Sequence, residues 1–305
     1  MELIKINPQG FCSGVINAFA ITKNVVANNP NKKIYMIGWL VHNEYVVKEM
    51  TQLGIIVLDD RKEDRKKLVS KIDPSGEPIV IFSAHGTDPK IIEYATKRGL
   101  RAIDATCVYV TNTHDIINEK LATGHQVLYI GVRNHPETAA ALSLNPKIKL
   151  LETPEDVAKL DIKDEKIFMT NQTTISIYEF YGIIKSLRKR FKNIECKNDI
   201  CNATNERQEA LMYHLDKNIS EGLDLVIVVG DKRSNNSQKL VSIAKEKNVE
   251  SYLLSHVADI NPEWFKNKQR VGITAGASTP DYLTDEIIKE ICKKFKATLK
   301  ISKEL

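Results

Sequence analysis

No two cysteines of this chain stand in a CxxC spacing, although it has five of them. That absence removes the local zinc knuckle, the thioredoxin-like redox pair and the ferredoxin-type cluster run. There is no Walker A loop and no GxGxxG turn, so a nucleotide is not indicated. No apolar run approaches the length of a membrane span, and the opening "MELIKINPQG" lacks the basic and apolar regions of a signal peptide. A cytoplasmic protein without a membrane partner is expected. Net charge is only +5, with basic and acidic residues intermixed, so no nucleic-acid partner is expected either. Low-complexity tracts and Pro/Gly-rich linkers are also missing.

What is there is one kind of unit, repeated. At 305 residues the chain is too long for a single small core, which points to two or three compact domains. Short Val/Ile-rich runs end in small or polar residues and lead into helical patterns. Examples are "KKIYMIG" at 32–38, "PIVIFSAHG" at 78–86, "HQVLYIGVRNHPE" at 125–137, "KIFMTNQTT" at 166–174, "LDLVIVVGDKRSNNS" at 223–237 and "RVGITAGAST" at 270–279. Such alternation predicts parallel α/β units, whose ligands gather at the carboxyl ends of the strands. The highly charged segment 59–78 is expected to be a solvated helix and turn.

Three of the five cysteines share a rhythm: Cys12, Cys107 and Cys201 are spaced by 95 and 94 residues. Each precedes a helical pattern, with Ser13, Thr106 and Asn202 or Thr204 as candidate caps. The spacing predicts three α/β lobes of similar size: 14–106, 107–200, and 201–280 joined by the N-terminal strand 1–13. A C-terminal helix and tail, 281–305, would complete the chain. Helix N-termini stabilise thiolates, the form that binds metal. Three of them could hold zinc with an open position or an iron–sulfur cluster, or the cysteines could be small buried hydrophobes. Cys196, in a strand-like run, and Cys292, on a helix, read as core packing.

The strand-end loops carry the polar chemistry. His42, His85 and His135 lie there, whereas His114, His125, His214 and His256 occupy helical or connecting contexts. With Ser234, Asn235, Asn236, Ser237 and Ser278, the first three form a set of donors suited to a phosphate or diphosphate, though the serines and asparagines also suit helix caps. In "NHPE", Pro136 fits the first helical turn and directs Glu137 toward the strand tip. A carboxylate there could pass protons to a leaving hydroxyl or merely complement a helix dipole. Thr173 and Thr174 of "NQTT" could orient that hydroxyl or cap the next helix. A metal-free hydrolase or phosphotransferase using Glu137 and His135, and a three-lobed ligand-binding module, are the rival classes.

The ordered set "NPQGFCSGV", "VHN", "FSAHG", "DATC", "HPE", "QTT", "NDIC", "NERQEA" and "TAGAS" resembles the 4-hydroxy-3-methylbut-2-enyl diphosphate reductase family over nearly the whole chain. The resemblance implies three α/β lobes around a central [4Fe–4S] cluster, held by Cys12, Cys107 and Cys201 with one iron left open. It implies that His42, His85, His135, Ser234, Asn236 and Ser278 hold the diphosphate, with Asn235 standing where the family commonly has a second serine. Glu137 would feed protons and Thr173 would orient the allylic hydroxyl. The reaction would be a two-electron, two-proton removal of that hydroxyl, served by a small acidic electron donor of flavodoxin or ferredoxin type. "KSLRKRFK" at 185–192, with Arg188, Lys189 and Arg190, is the candidate docking segment. Departures are Asp231 and Arg233 in the serine loop, and Arg133 and Asn134 before His135.

Overall fold

The computed structural model describes residues 1–162, 166–218 and 220–302. These form two compact units, Gly14–Ile200 on one hand and Met1–Ser13 with the chain from Cys201 onward on the other. Three sheets are built, and all their described ladders are parallel.

The chain begins with β1 (Glu2–Lys5), which belongs to the sheet of the later residues, and then α1 (Ser13–Asn28). A four-stranded sheet follows, built from β2 (Ile34–Ile37), α2 (Glu44–Gln52), β3 (Ile56–Leu58), α3 (Arg65–Ser70), β4 (Ile79–Phe82), α4 (Pro89–Lys97) and β5 (Arg101–Asp104). Its order is β3-β2-β4-β5. The same unit continues through α5 (Val108–Ala122), β6 (Gln126–Ile130), α6 (Pro136–Ser143), β7 (Lys149–Leu151), β8 (Ile167–Asn171), α7 (Ile177–Arg190) and β9 (Ile194–Cys196). Here the order is β7-β6-β8-β9.

Central strands are mostly buried, as parallel strands covered on both faces must be. "IVIF" in β4 and "IFMTN" in β8 have every residue buried, while the edge strands β3 and β9 do not. The interior is close-packed around Phe82, Val80 and Ile37 in one cluster and Leu128, Met169, Ile183 and Leu187 in another. Cys196 packs against the second cluster, in keeping with its packing role. Helix starts follow local chemistry. Asp88 caps α4 ahead of Pro89, and Ser176 with Glu179 forms a capping box on α7.

The second unit completes the chain with α8 (Asn202–Leu215), β10 (Leu225–Val229), α9 (Asn235–Glu246), β11 (Glu250–Leu254), β12 (Arg270–Ala275), α10 (Asp281–Phe295) and β13 (Thr298–Ile301). The sheet order is β11-β10-β12-β1-β13, so the first strand lies between two strands from the far end of the chain. β13 is a difference from the expected helix and tail. All four of its residues are exposed, so no burial period marks "TLKI" as a strand; pairing with β1 makes it one.

Two other expectations fail locally. The caps at Cys107 and Cys201 are not supplied by Thr106, Asn202 or Thr204, because the cysteines themselves occupy the N-cap positions of α5 and α8. Thr106 is taken up instead by Asp104, through both its N–H and its hydroxyl. The segment 59–78 is not simply solvated: Asp60 and Arg65 turn inward as an ion pair at 2.8 Å, with side chains only 13% and 11% exposed.

Ile183 is fully buried in the core beneath α7. Ile183→Ala is expected to lower unfolding free energy by about 2–5 kcal/mol, read as a reduced midpoint in urea.

Candidate active site

Within Gly14–Ile200, three strand-end loops bring three imidazoles together. His42 follows β2, next to Asn43, whose side chain caps α2 by accepting from the Tyr45 N–H at 3.0 Å. His85 follows β4, and His135 is the N-cap of α6. The rings of His42 and His85 stack with centroids 4.2 Å apart, and His135 stands edge-on to both at 5.2 and 5.4 Å. The next residue after His85 must be glycine: Gly86 has φ +84°, and a Cβ there would lie 3.2 Å from both Val110 and His114. Nδ1 of His135 accepts from the Glu137 N–H at 3.2 Å, which leaves the ring proton on Nε2 as a donor.

Burial and mutual charge disfavour the charged forms of His85 and His135. The desolvated His85 is pushed well below the ordinary imidazole range, with the charges of His42, His135 and Arg65 adding to the effect. His135 is lowered to about 3, again mainly by burial, then by His42 and Arg65. Arg65 organises the loop from behind. Its guanidinium donates to the Gly86 carbonyl at 2.7 Å, to the Thr87 hydroxyl at 2.5 Å and to the Ser83 hydroxyl at 3.1 Å, while Asp60 balances its charge. Nothing in the charged run around Arg65 singled it out, because its role depends on contacts 18 to 22 residues away.

Glu137 is 2% exposed on the first turn of α6. One carboxylate oxygen accepts from the Thr173 N–H at 2.6 Å and the other from the Thr173 hydroxyl at 3.1 Å. Burial pushes its pKa up to about 7; the Thr173 bonds oppose the rise and the Asp199 charge adds to it. The sequence passed over Gln172, which ties these loops together. Its Oε1 accepts from the Val132 N–H at 3.0 Å and the Thr138 hydroxyl at 3.1 Å, and its Nε2 donates to Thr174 at 2.9 Å. Thr174 is thus engaged by Gln172, while Thr173 faces the acid. Arg133 turns outward to Glu152 at 2.8 Å with a side chain 65% exposed.

The other unit holds the serine and asparagine set. Ser234 caps α9, its hydroxyl accepting from the Ser237 N–H at 3.3 Å. Asn235 and Asn236 lie buried in the first turn. Among the described residues, neither amide atom of Asn236 nor the Ser237 hydroxyl has a hydrogen-bond partner. Each such buried group costs about 1–3 kcal/mol, and a bound anion would recover part of that cost at the Asn236 amide N–H. Gly230 and Gly276 make room for Ser237, since a Cβ on either would lie 2.3 or 2.1 Å from its hydroxyl oxygen. Asp231 does not bring uncompensated negative charge to this loop, because Arg233 holds it through Nε at 2.8 Å and Nη2 at 2.7 Å. Ser278 follows β12, next to Ala277, whose carbonyl accepts from the Cys12 N–H at 3.0 Å.

All five cysteines are present as thiols, each half-buried. Cys12 immediately precedes α1, and Cys107 and Cys201 are the N-caps of α5 and α8. The Cys107 N–H bonds the Ala84 carbonyl at 3.0 Å, just before His85, and the Cys201 thiol lies 3.2 Å from the Thr204 hydroxyl. Of the basic segment on α7, Arg190 is committed to structure through the carbonyls of Val157 and Leu160. Arg188 and Lys189 are exposed.

The three imidazoles have nitrogen atoms all within 4.8 Å of one another, an arrangement that can ligate a transition metal or donate to an oxyanion. An anion favours protonated rings, so inorganic diphosphate is expected to raise the titration midpoints of His85 and His135 toward neutrality. Imidazole resonances followed by NMR across pH, with and without diphosphate, check this; unmoved midpoints would count against an anion site.

The chain as a whole has close relatives among known proteins. A family model described as LytB protein matches residues 3–292. A 4-hydroxy-3-methylbut-2-enyl diphosphate reductase from Malacoplasma penetrans (strain HF-2) is 49% identical over 96% of this chain and 98% of its own length. The enzyme of the same name from Anoxybacillus flavithermus (strain DSM 21510 / WK1) is 42% identical over 94% of this chain and 89% of its own. Among solved structures, the E-1-hydroxy-2-methyl-but-2-enyl-4-diphosphate reductase from Plasmodium falciparum superposes with a TM-score of 0.87 at 33% identity, covering 98% of this chain and 91% of that one. An (E)-4-hydroxy-3-methyl-but-2-enyl diphosphate reductase, described as the terminal enzyme of the non-mevalonate pathway, gives 0.63 at 30% identity, covering 96% and 100%. Matched from its first strand to its last long helix, the chain belongs to the LytB family.

Proposed function

We propose that this chain carries out the reaction for which its relatives are named, the reductive removal of the allylic hydroxyl of 4-hydroxy-3-methylbut-2-enyl diphosphate. Two electrons and two protons enter, the carbon–oxygen bond breaks, the oxygen leaves as water, and isopentenyl or dimethylallyl diphosphate remains. The observation that carries this reading is Glu137: a buried acid with a pKa of about 7, bonded twice to Thr173 and two residues from His135.

His42, His85 and His135 are assigned to the diphosphate, with Ser234, Asn235, Asn236 and Ser278 as further donors. The partnerless amide N–H of Asn236 and the desolvated imidazoles have most to gain from an anion. Glu137 holds the proton needed by the departing hydroxyl, and Thr173 orients that hydroxyl while keeping the carboxyl in place. With its acid form half populated near neutrality, Glu137 can give a proton and be recharged from water.

Cys12, Cys107 and Cys201 are assigned to a [4Fe–4S] cluster. The donor set fits: three half-buried thiols at helix starts, with the Arg207 cation acting on two of them. When bound, such a cluster supplies electrons and one iron without a protein ligand, a Lewis acid for a substrate oxygen. The reaction needs a reductant, and we assign this to a small acidic electron carrier that meets Arg188 and Lys189.

After anaerobic purification and reconstitution, about four iron and four sulfide per chain are expected, with consumption of the allylic diphosphate under dithionite and viologen. Little iron and no sulfide would sink the reading. Glu137 is protonated below its pKa and loses the proton as pH rises through about 7, so kcat/KM is expected to fall on that side. Glu137→Gln is expected to lower kcat by about a hundredfold or more and to abolish this limb of the profile. Reversing the charges of Arg188 and Lys189 is expected to slow turnover with a flavodoxin or ferredoxin and flatten its salt dependence, leaving the dithionite rate unchanged; an unaltered carrier rate would remove this surface from the reading.

A further inference from the structure

Arg207, on the second turn of α8, is only 3% exposed and forms no salt bridge among the described residues. Arginine is almost never this buried unless something compensates its charge. Its Nη1 donates to the Ala203 carbonyl at 2.8 Å, in the first turn that Cys201 caps. Its Nη2 donates to the Gly10 carbonyl at 2.7 Å, in the turn leading to Cys12. The remaining donor, Nε, is buried without a hydrogen-bond partner.

The Cys12 turn is held from a second direction. Gly10 has φ +76°, and the Asp281 carboxylate fills the space where a Cβ would stand, 2.3 Å from that position. Burial draws the Arg207 pKa below its usual value, while the charges of Cys12 and Cys201, followed by Glu206 and Asp281, pull it back up. The guanidinium therefore stays charged. One fixed cation thus grips the backbone beside both thiols and acts electrostatically on both.

We infer that Arg207 is a positioning residue for Cys12 and Cys201: its fork fixes the two thiol-bearing turns, and its buried charge raises the reduction potential of the group those thiolates hold. This rests on the iron–sulfur reading above. A cation in a dry setting favours the more negative, reduced form, and hydrogen bonds and net charge are the protein's levers on cluster potential. Asp281 opposes it, so the pair sets the field and Asp281 tempers it.

The test compares wild type, Arg207→Lys, Arg207→Gln and Asp281→Asn after anaerobic reconstitution. Iron and sulfide per chain report retention, redox titration followed by electron paramagnetic resonance reports potential, and circular dichroism of the metal-free chains reports folding. Arg207→Gln is expected to shift the one-electron reduction equilibrium at least tenfold toward the oxidised form, a fall of about 59 mV, and to lose iron faster. Arg207→Lys keeps the charge without the fork, so it is expected to hold a potential near wild type while still losing iron faster. Asp281→Asn, on the exposed start of α10, is expected to move the potential upward. An Arg207→Gln chain with wild-type potential and retention overturns the inference, as does an Arg207→Lys chain whose potential falls as far as that of the glutamine variant. If Arg207→Gln does not fold, an unmoved potential in Asp281→Asn overturns it. A wild type that takes up neither iron nor sulfide overturns the parent reading and this inference with it, an outcome distinct from the others.

Discussion

A carboxyl group removed from water keeps its proton at a pH where an exposed glutamate has long since lost it, and Glu137 is held in that condition by the ends of two neighbouring strands. β6 leads to His135 and the first turn of α6, and β8 leads to Thr173, which meets the carboxyl with both its N–H and its hydroxyl. Burial alone would drive the pKa higher; the Thr173 bonds hold it near 7. A shift of register between β6 and β8 would separate the acid from its partner. Gln172 resists such a shift by bonding both loops at once.

Charge elsewhere is handled by pairing within short reach. Arg65 would be an expensive buried cation without Asp60, and with it becomes the brace behind His85. Asp231 would repel an anion at the start of α9, but Arg233 two residues on closes over it. Arg207 differs, since its compensation comes from the charges of Cys12, Cys201, Glu206 and Asp281, with none of which it forms an ion pair among the described residues. Among the described residues, two buried groups left without partners, the Asn236 amide at the start of α9 and the Nε2 of His85 in a strand-end loop, lie where the ligand is assigned. A stable protein tolerates such costs where something else can meet them.

Much of this was legible in the linear chain because parallel α/β units have a short local grammar. Apolar runs such as "IVIF" and "LVIVV" marked central strands, and "HPE" announced a proline at the first position of a helix with an acid behind it. Local grammar also misled. Thr106 looked like a cap and is an Asp104 partner, and the charged stretch at 59–78 looked solvated although two of its side chains are turned inward. Both misreadings concern polar side chains, whose roles are set by which partner lies within about 3 Å and not by neighbours in sequence.

The sequence by itself determined the class of fold, the strand ends at which polar chemistry collects, and the family, since hydrophobic period and ordered motifs are properties of the chain. Tertiary structure decided the rest. It placed β1 between β12 and β13, made a strand of the exposed "TLKI", drew three imidazoles from three loops to within stacking distance, and raised the pKa of Glu137 to about 7. The physical reason is that desolvation and hydrogen bonding act through distance in space, and residues such as Gly10 and Arg207, separated by 197 positions, acquire their chemistry only once they are neighbours.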